Sequence, residues 1–231
     1  MSPGVTADVT VTAGELALYG SNGPLLALEA ANGGAQAWAS ALIGGVVANA
    51  PSVGPDGTIY ATSTASYLYA LDAKTHAVAW EYPLASANGS APTYFDGSVY
   101  VDGPVIGLVA IDAATGTARW TQPAVGGGCN VPIAADGTIY ATSGTVLKAF
   151  DGAGNVRWSV DTGGTLGVCM LIDGAGSVLV VTGNQLAAYE PTQGHQLWAV
   201  PGGSGDCLFA IGADGKLFEA TPDGHLLAFG N

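Results

Sequence analysis

Three cysteines, Cys129, Cys169 and Cys207, stand at intervals of 40 and 38 residues. Brought together as thiolates they would hold a soft metal ion. Two of them could instead form a disulfide and leave one thiol, or all three could serve as small buried hydrophobes. Asp102, Asp206 and Asp223 are carboxylates that could meet on one face, and a facing pair would suit hydrolysis by general acid and base. Asn49, Asn88 and Asn130 add neutral amides, which suit hydrogen bonding to a polyol or a peptide better than to a phosphate. The histidines His76, His195 and His225 do not cluster, whereas a zinc site needs convergent ligands. No nucleophile elbow, phosphate loop or dinucleotide fingerprint occurs in a strand–turn–helix context.

The elements that would position these residues are written in a repeat. Ala110-Ile111-Asp112-Ala113-Ala114-Thr115-Gly116-Thr117-Ala118-Arg119-Trp120 reads as Ala-x-Asp-x-x-Thr-Gly-x-x-x-Trp. Imperfect copies run from Ala27 to Trp38, Ala70 to Trp80, Ala149 to Trp158 and Ala188 to Trp198, and a last copy stops at Ala228-Phe229-Gly230-Asn231. The five tryptophans are spaced by 42, 40, 38 and 40 residues, a period that fits four short strands per unit. Within each copy the acidic residue can bond backbone amides of a tight turn, glycine supplies positive φ, and a small alanine leaves room for the indole. A second turn register precedes it at Asp56-Gly57, Asp96-Gly97, Asp136-Gly137 and Asp214-Gly215, with Asp173-Gly174-Ala175-Gly176 in the fifth unit. Turn chemistry therefore accounts for Glu29, Asp56, Asp72, Asp96, Asp112, Asp136, Asp151, Asp173, Glu190 and Asp214 before any catalytic role is needed.

The repeat resembles the tryptophan-docking motif of the pyrroloquinoline-quinone-like β-propeller family, on the side of its non-quinoprotein members. The resemblance implies an all-β, six-bladed β-propeller of four-stranded antiparallel blades, forming a single domain over residues 1–231. Blades two to five are expected at about 46–84, 90–122, 130–160 and 168–200, with the last blade lacking its own outer strand. It implies that Trp38, Trp80, Trp120, Trp158 and Trp198 are structural, with Trp80, Trp120 and Trp198 largely buried between blades. The quinoprotein enzymes of the family typically have eight repeats, a vicinal cysteine pair and a Glu, Asn and Asp set for calcium. This sequence has none of the three, so no quinone cofactor is expected.

Composition narrows the partners. Lys and Arg number 5 against 18 Asp and Glu, and a net charge of −13 disfavours nucleic acid and anionic lipid. No apolar run approaches the ~20 residues that a membrane helix needs. Few lysines and abundant glycine fit a secreted or extracytoplasmic bacterial protein, and the Met1-Ser2-Pro3-Gly4 start is not a signal peptide.

In such a propeller the connections between blades gather on one rim. They are uneven and glycine-rich here, and irregular loops on a rigid scaffold are where binding is built. The expected function is a non-catalytic binding or scaffold module that recognises a protein or a glycan through Asn49, Asn88, Asp102, Asn130 and Asp206 at one channel mouth. Two alternatives stand beside it: an enzyme with its active site at that mouth, either a hydrolase or lyase or a quinone-dependent oxidoreductase, and a metal site built on Cys129, Cys169 and Cys207.

Overall fold

The structure, a computed structural model, describes residues 10–12, 16–20, 25–29, 32, 34–40, 45, 47, 49–86, 89–202, 209–212, 216–220 and 225–229. The chain divides into two compact units, Met1–Ala124 and Val125–Asn231. Among the described residues there is no α-helix, and no helix is long and apolar enough to cross a membrane.

The first unit holds three antiparallel sheets, each paired in chain order. They are β1 (Thr10–Val11), β2 (Leu16–Gly20), β3 (Leu25–Glu29) and β4 (Ala35–Ser40); β5 (Ser52–Val53), β6 (Ile59–Ser63), β7 (Tyr67–Leu71) and β8 (Val78–Pro83); and β9 (Thr93–Phe95), β10 (Ser98–Gly103), β11 (Gly107–Asp112) and β12 (Ala118–Gln122). The second unit holds β13 (Ile139–Ser143), β14 (Val146–Phe150) and β15 (Val156–Asp161); β16 (Leu166–Ile172), β17 (Val178–Thr182), β18 (Gln185–Tyr189) and β19 (Gln196–Pro201); and β20 (Phe209–Ile211), β21 (Leu217–Ala220) and β22 (Leu226–Phe229).

The inner segments are strands buried on both faces, whereas the outer ones keep part of their surface exposed. In β6, Ile59 and Ala61 pack toward the first sheet while Tyr60 packs toward the third. In β17, Val178 and Val180 join the core with β13 and β14, and Leu179 and Val181 join the core with β21. The inner strands therefore read as near-continuous apolar runs. Each fully buried Leu, Ile or Val contributes about 1.5–3 kcal/mol by leaving water.

The repeat motif fixes one register five times. Ala27, Ala70, Ala110, Ala149 and Ala188 sit directly opposite Trp38, Trp80, Trp120, Trp158 and Trp198, and a β-bulge follows each alanine. All five alanines are fully buried. The extra residue of the bulge turns the strand and aims the indole past its own sheet. Trp80 lands on Gly116 of the next sheet and Trp158 on Gly194, so close that an added Cβ would lie 2.7 Å or 2.5 Å from the ring. In three sheets a tyrosine supports the ring from its own sheet: Tyr60 (β6) with Trp80, Tyr100 (β10) with Trp120 and Tyr140 (β13) with Trp158, centroids 5.8–5.9 Å apart.

Two expectations need correction. Trp158 is 7% exposed and Trp80 and Trp120 keep only a minor part of their surface exposed, but Trp198, expected to be largely buried, is 40% exposed. These rings ride on outer strands, so one edge stays at the surface. The innermost strand expected from Asn130 shrinks to isolated bridges, one at Asn130 and one at Ile133↔Ile139, because Pro132 between them has no N–H to extend the ladder. The two kinds of hairpin also differ: Asp96 and Gly97 both have positive φ in a two-residue turn, whereas only Gly57, Gly137 and Gly176 do in the longer ones.

Gly194→Ala meets both the positive φ and the indole of Trp158, and should cost about 3 kcal/mol or more. Gly144 has φ +64 and nothing within 4 Å of an added Cβ. Gly144→Ala should therefore cost only the backbone strain, about 1 kcal/mol. Urea titrations of the two variants measure the difference, and equal losses would show that the ring does not rest on Gly194.

Candidate functional site

Polar side chains collect at the end of the sheets that carries the connections from one sheet to the next. In the first unit they form a continuous chain. Asn49 Nδ2 donates to the Gly89 carbonyl at 2.8 Å and to Thr62 Oγ1 at 3.2 Å. Thr62 Oγ1 donates to the Ser90 carbonyl at 3.1 Å. Ser90 Oγ accepts from the Asp102 amide at 2.9 Å, and the Ser90 amide donates to the Asp102 carbonyl at 2.8 Å. Two further bonds join successive innermost strands: Thr10 Oγ1 to the Pro51 carbonyl at 2.6 Å, and the Tyr94 amide to Ser52 Oγ at 3.0 Å.

The second unit repeats the device. Asn130 Nδ2 donates to the Met170 carbonyl at 3.1 Å, and Asn130 Oδ1 accepts the Met170 amide at 3.4 Å. Thr182 Oγ1 donates to Thr162 Oγ1 at 2.9 Å. Asn49 and Asn130 each reach 40 residues along the chain, so they clasp consecutive repeats.

Of the residues singled out in the sequence, Asn49 and Asp102 belong to one network and Asn130 to its counterpart in the other unit. Asn88, Asp206, Cys207 and Asp223 lie outside the described residues. Asp102 is 1% exposed, which closes its carboxylate to a substrate. Cys169 is disulfide-bonded and Cys129 is in no disulfide. A disulfide sulfur is no thiolate, so Cys169 supplies no metal ligand in this state. His76 stacks on Trp38 with centroids 4.0 Å apart, and His195 lies 3.9 Å from Glu190. Among the described residues no three His, Cys, Asp or Glu side chains are grouped to hold a metal ion.

At the opposite end the carboxylates are held in turns. Asp72 Oδ1 accepts from the amides of Lys74 and Thr75 and from the Thr75 hydroxyl. Asp112 repeats this with Ala114 and Thr115 and adds Arg119 at 2.8 Å. The Arg119 guanidinium, then Thr115, holds the Asp112 carboxyl at about 2. The Thr192 hydroxyl and the amides of Thr192 and Gln193 hold Glu190 at about 2. Such carboxylates are locked acceptors and are poorly suited to proton transfer near neutrality.

The architecture and the repeat now meet the known proteins. The family model described as outer membrane protein assembly factor BamB matches residues 21–106 and 88–206. The chain belongs to this family.

The solved structures agree on the fold. BamB from Moraxella catarrhalis superposes with a TM-score of 0.72 at 18% identity, covering 96% of this chain and 72% of that one. A chain of the mitotic checkpoint complex gives 0.79 at 14% identity, over 96% and 75%. The computationally designed protein Ika8 gives 0.78 at 11%, over 97% and 70%. No relative among curated proteins matches the sequence. The fold is thus an all-β propeller of antiparallel sheets, and the BamB-like repeat makes those sheets.

Sequence reasoning missed part of the network. Thr62, Thr142 and Thr182 were not singled out, yet with Asp102 they follow one another at intervals of 40 residues and all four are buried. The signal was present: Asp-Gly-Thr-Ile-Tyr-Ala-Thr-Ser occurs identically at 56–63 and 136–143.

The depressed carboxyls of Asp112 and Glu190 stabilise the fold above the ordinary carboxylate range, and that contribution is lost as pH falls from about 4 through 2. The melting temperature should drop across that window, and Asp112→Asn should flatten the drop. Thermal melts between pH 2 and 5 that superpose for the two proteins would refute the assignment.

Proposed function

We propose that this protein is a non-catalytic scaffold that binds another protein outside the cytoplasm, and that its six repeats act as one propeller domain over residues 1–231. The observation that carries this reading is the match of the BamB-like family over most of the chain. The role named in the family's description, in the assembly of outer membrane proteins, is the role we carry over. Several features support it. The turn carboxylates are bound up in backbone contacts, and the buried Asp102 offers no reachable acid or base. A disulfide at Cys169 fits an oxidising compartment, which favours an extracytoplasmic, bacterial setting.

The binding surface we propose is the connection end of the sheets. There Asn49 and Asn130 act through the loops they clasp, with Asn88 and Asp206 in equivalent connections of the sequence. Val105, 67% exposed, and Pro104 lie in the turn that follows Asp102 and offer apolar contact beside it. Exposed apolar side chains on rigid turns suit a protein partner better than a sugar.

A photo-crosslinking residue placed at Val105 or at Asn184, in the turn between β17 and β18, and separately at Lys74 on the opposite end, tests the reading in cells. Crosslinks to one envelope protein from the first two positions and not from Lys74 are expected. Crosslinks from Lys74 alone would move the surface, and a specific hit on a glycan array without any protein crosslink would replace the protein partner by a sugar.

A further inference from the structure

Two interfaces between sheets are built the same way and a third departs from them. Trp80 Nε1 donates to the Ala113 carbonyl at 3.0 Å, and Trp158 Nε1 to the Pro191 carbonyl at 2.8 Å. Each ring lies on a glycine of the same turn, Gly116 or Gly194. Between the first and second sheets that glycine is replaced by His76, which still adopts positive φ, +56°. Its imidazole lies nearly parallel to Trp38, 13° between planes. The imidazole occupies the seat that the indole takes elsewhere. Among the described residues the Trp38 indole N–H has no carbonyl acceptor of the kind used by Trp80 and Trp158.

Beside this stack opens a cleft of about 290 Å³, lined by Leu18, Trp38, Val53, Pro55, Ile59 and His76. Its walls are chiefly aliphatic and aromatic, with Thr12, the His76 imidazole and the Trp38 indole as its polar side chains. Asp56 and Asp72 adjoin its lining residues Pro55 and Ala73, and hydrogen bonds from Thr58 and Thr75 keep both carboxyls below their ordinary range. Lys74 follows Asp72 in the same turn, and Arg119, which shares a pocket with Pro55 and Asp56, is tied to Asp112, in a chain of net charge −13. An acidic ligand is therefore disfavoured.

We propose that this cleft binds an extended, proline-bearing peptide segment of neutral or basic character, with a pyrrolidine ring against Trp38 and a backbone carbonyl accepting the indole N–H. A polyproline helix makes no internal hydrogen bonds, so its carbonyls are free to accept from an aromatic-lined groove, and its stiffness lowers the ordering cost. The site lies at the turn end of the sheets, so it stands or falls independently of the surface proposed above.

Titration of the ¹⁵N-labelled full chain with acetylated hexaproline amide, followed by NMR, tests it. The Trp38 indole resonance, identified by its absence from Trp38→Phe, should move while the other indoles stay. His76→Gly restores the glycine seat. It should weaken binding by about tenfold or more and leave the melting temperature unchanged or higher. Ala73→Tyr, which fills the cleft from its rim, should give the same loss and serves if His76→Gly does not fold. No shift of Trp38 at millimolar peptide overturns the proposal. So does a shift with maltohexaose in place of the peptide, or undiminished peptide binding by either variant.

Discussion

An indole laid on a tight turn of the following sheet is the contact on which each unit of this protein depends. It cannot form unless three conditions hold at once. The residue opposite the tryptophan must be as small as Ala70 or Ala149, the strand must bulge immediately after it, and the turn must lack a side chain where the ring lands. Gly116 and Gly194 meet the last condition and also supply the positive φ that closes the turn. Burial of the neighbouring apolar runs follows from this register, because a one-residue slip would exchange the faces of every inner strand.

The polar groups sort themselves around that contact. Carboxylates of the turns are consumed in organising the glycine that receives the ring. Amides and hydroxyls at the other end are consumed in fastening consecutive innermost strands. Arg119 and Arg157 are each tied to a carboxylate of their own sheet. Among the described residues these uses leave apolar side chains such as Val105 at the edges of turns, in a chain of net charge −13.

Much of this was legible in the sequence, for physical reasons that can be named. The Ala-to-Trp register and the Asp-Gly turns each require particular residue types at particular spacings, so the repeat displays them. Depth of burial was not legible: Trp198 and Trp158 occupy equivalent places in the motif, yet differ in exposure because the surroundings of an outer strand are set by another repeat. The clasps by Asn49 and Asn130 were equally hidden, since an asparagine in a glycine-rich connection reads the same whether it meets a ligand or a carbonyl 40 residues on. Cys129 and Cys169 looked equivalent by spacing and are not, since a disulfide holds only the second of them.

The side-chain clasp between consecutive innermost strands has a wider meaning for how the chain tolerates change. Each clasp couples one repeat to the next and to no other, so within a unit the molecule is a one-dimensional lattice with nearest-neighbour terms. In such a lattice a sequence change is judged only by two adjoining sites. The octapeptide at 56–63 can recur unaltered at 136–143 while the repeat between them carries a buried carboxylate at the place of Thr62 and Thr142. Individual repeats are thereby free to acquire separate chemistry without renegotiating the whole architecture, and His76 in the place of a glycine is one such local departure.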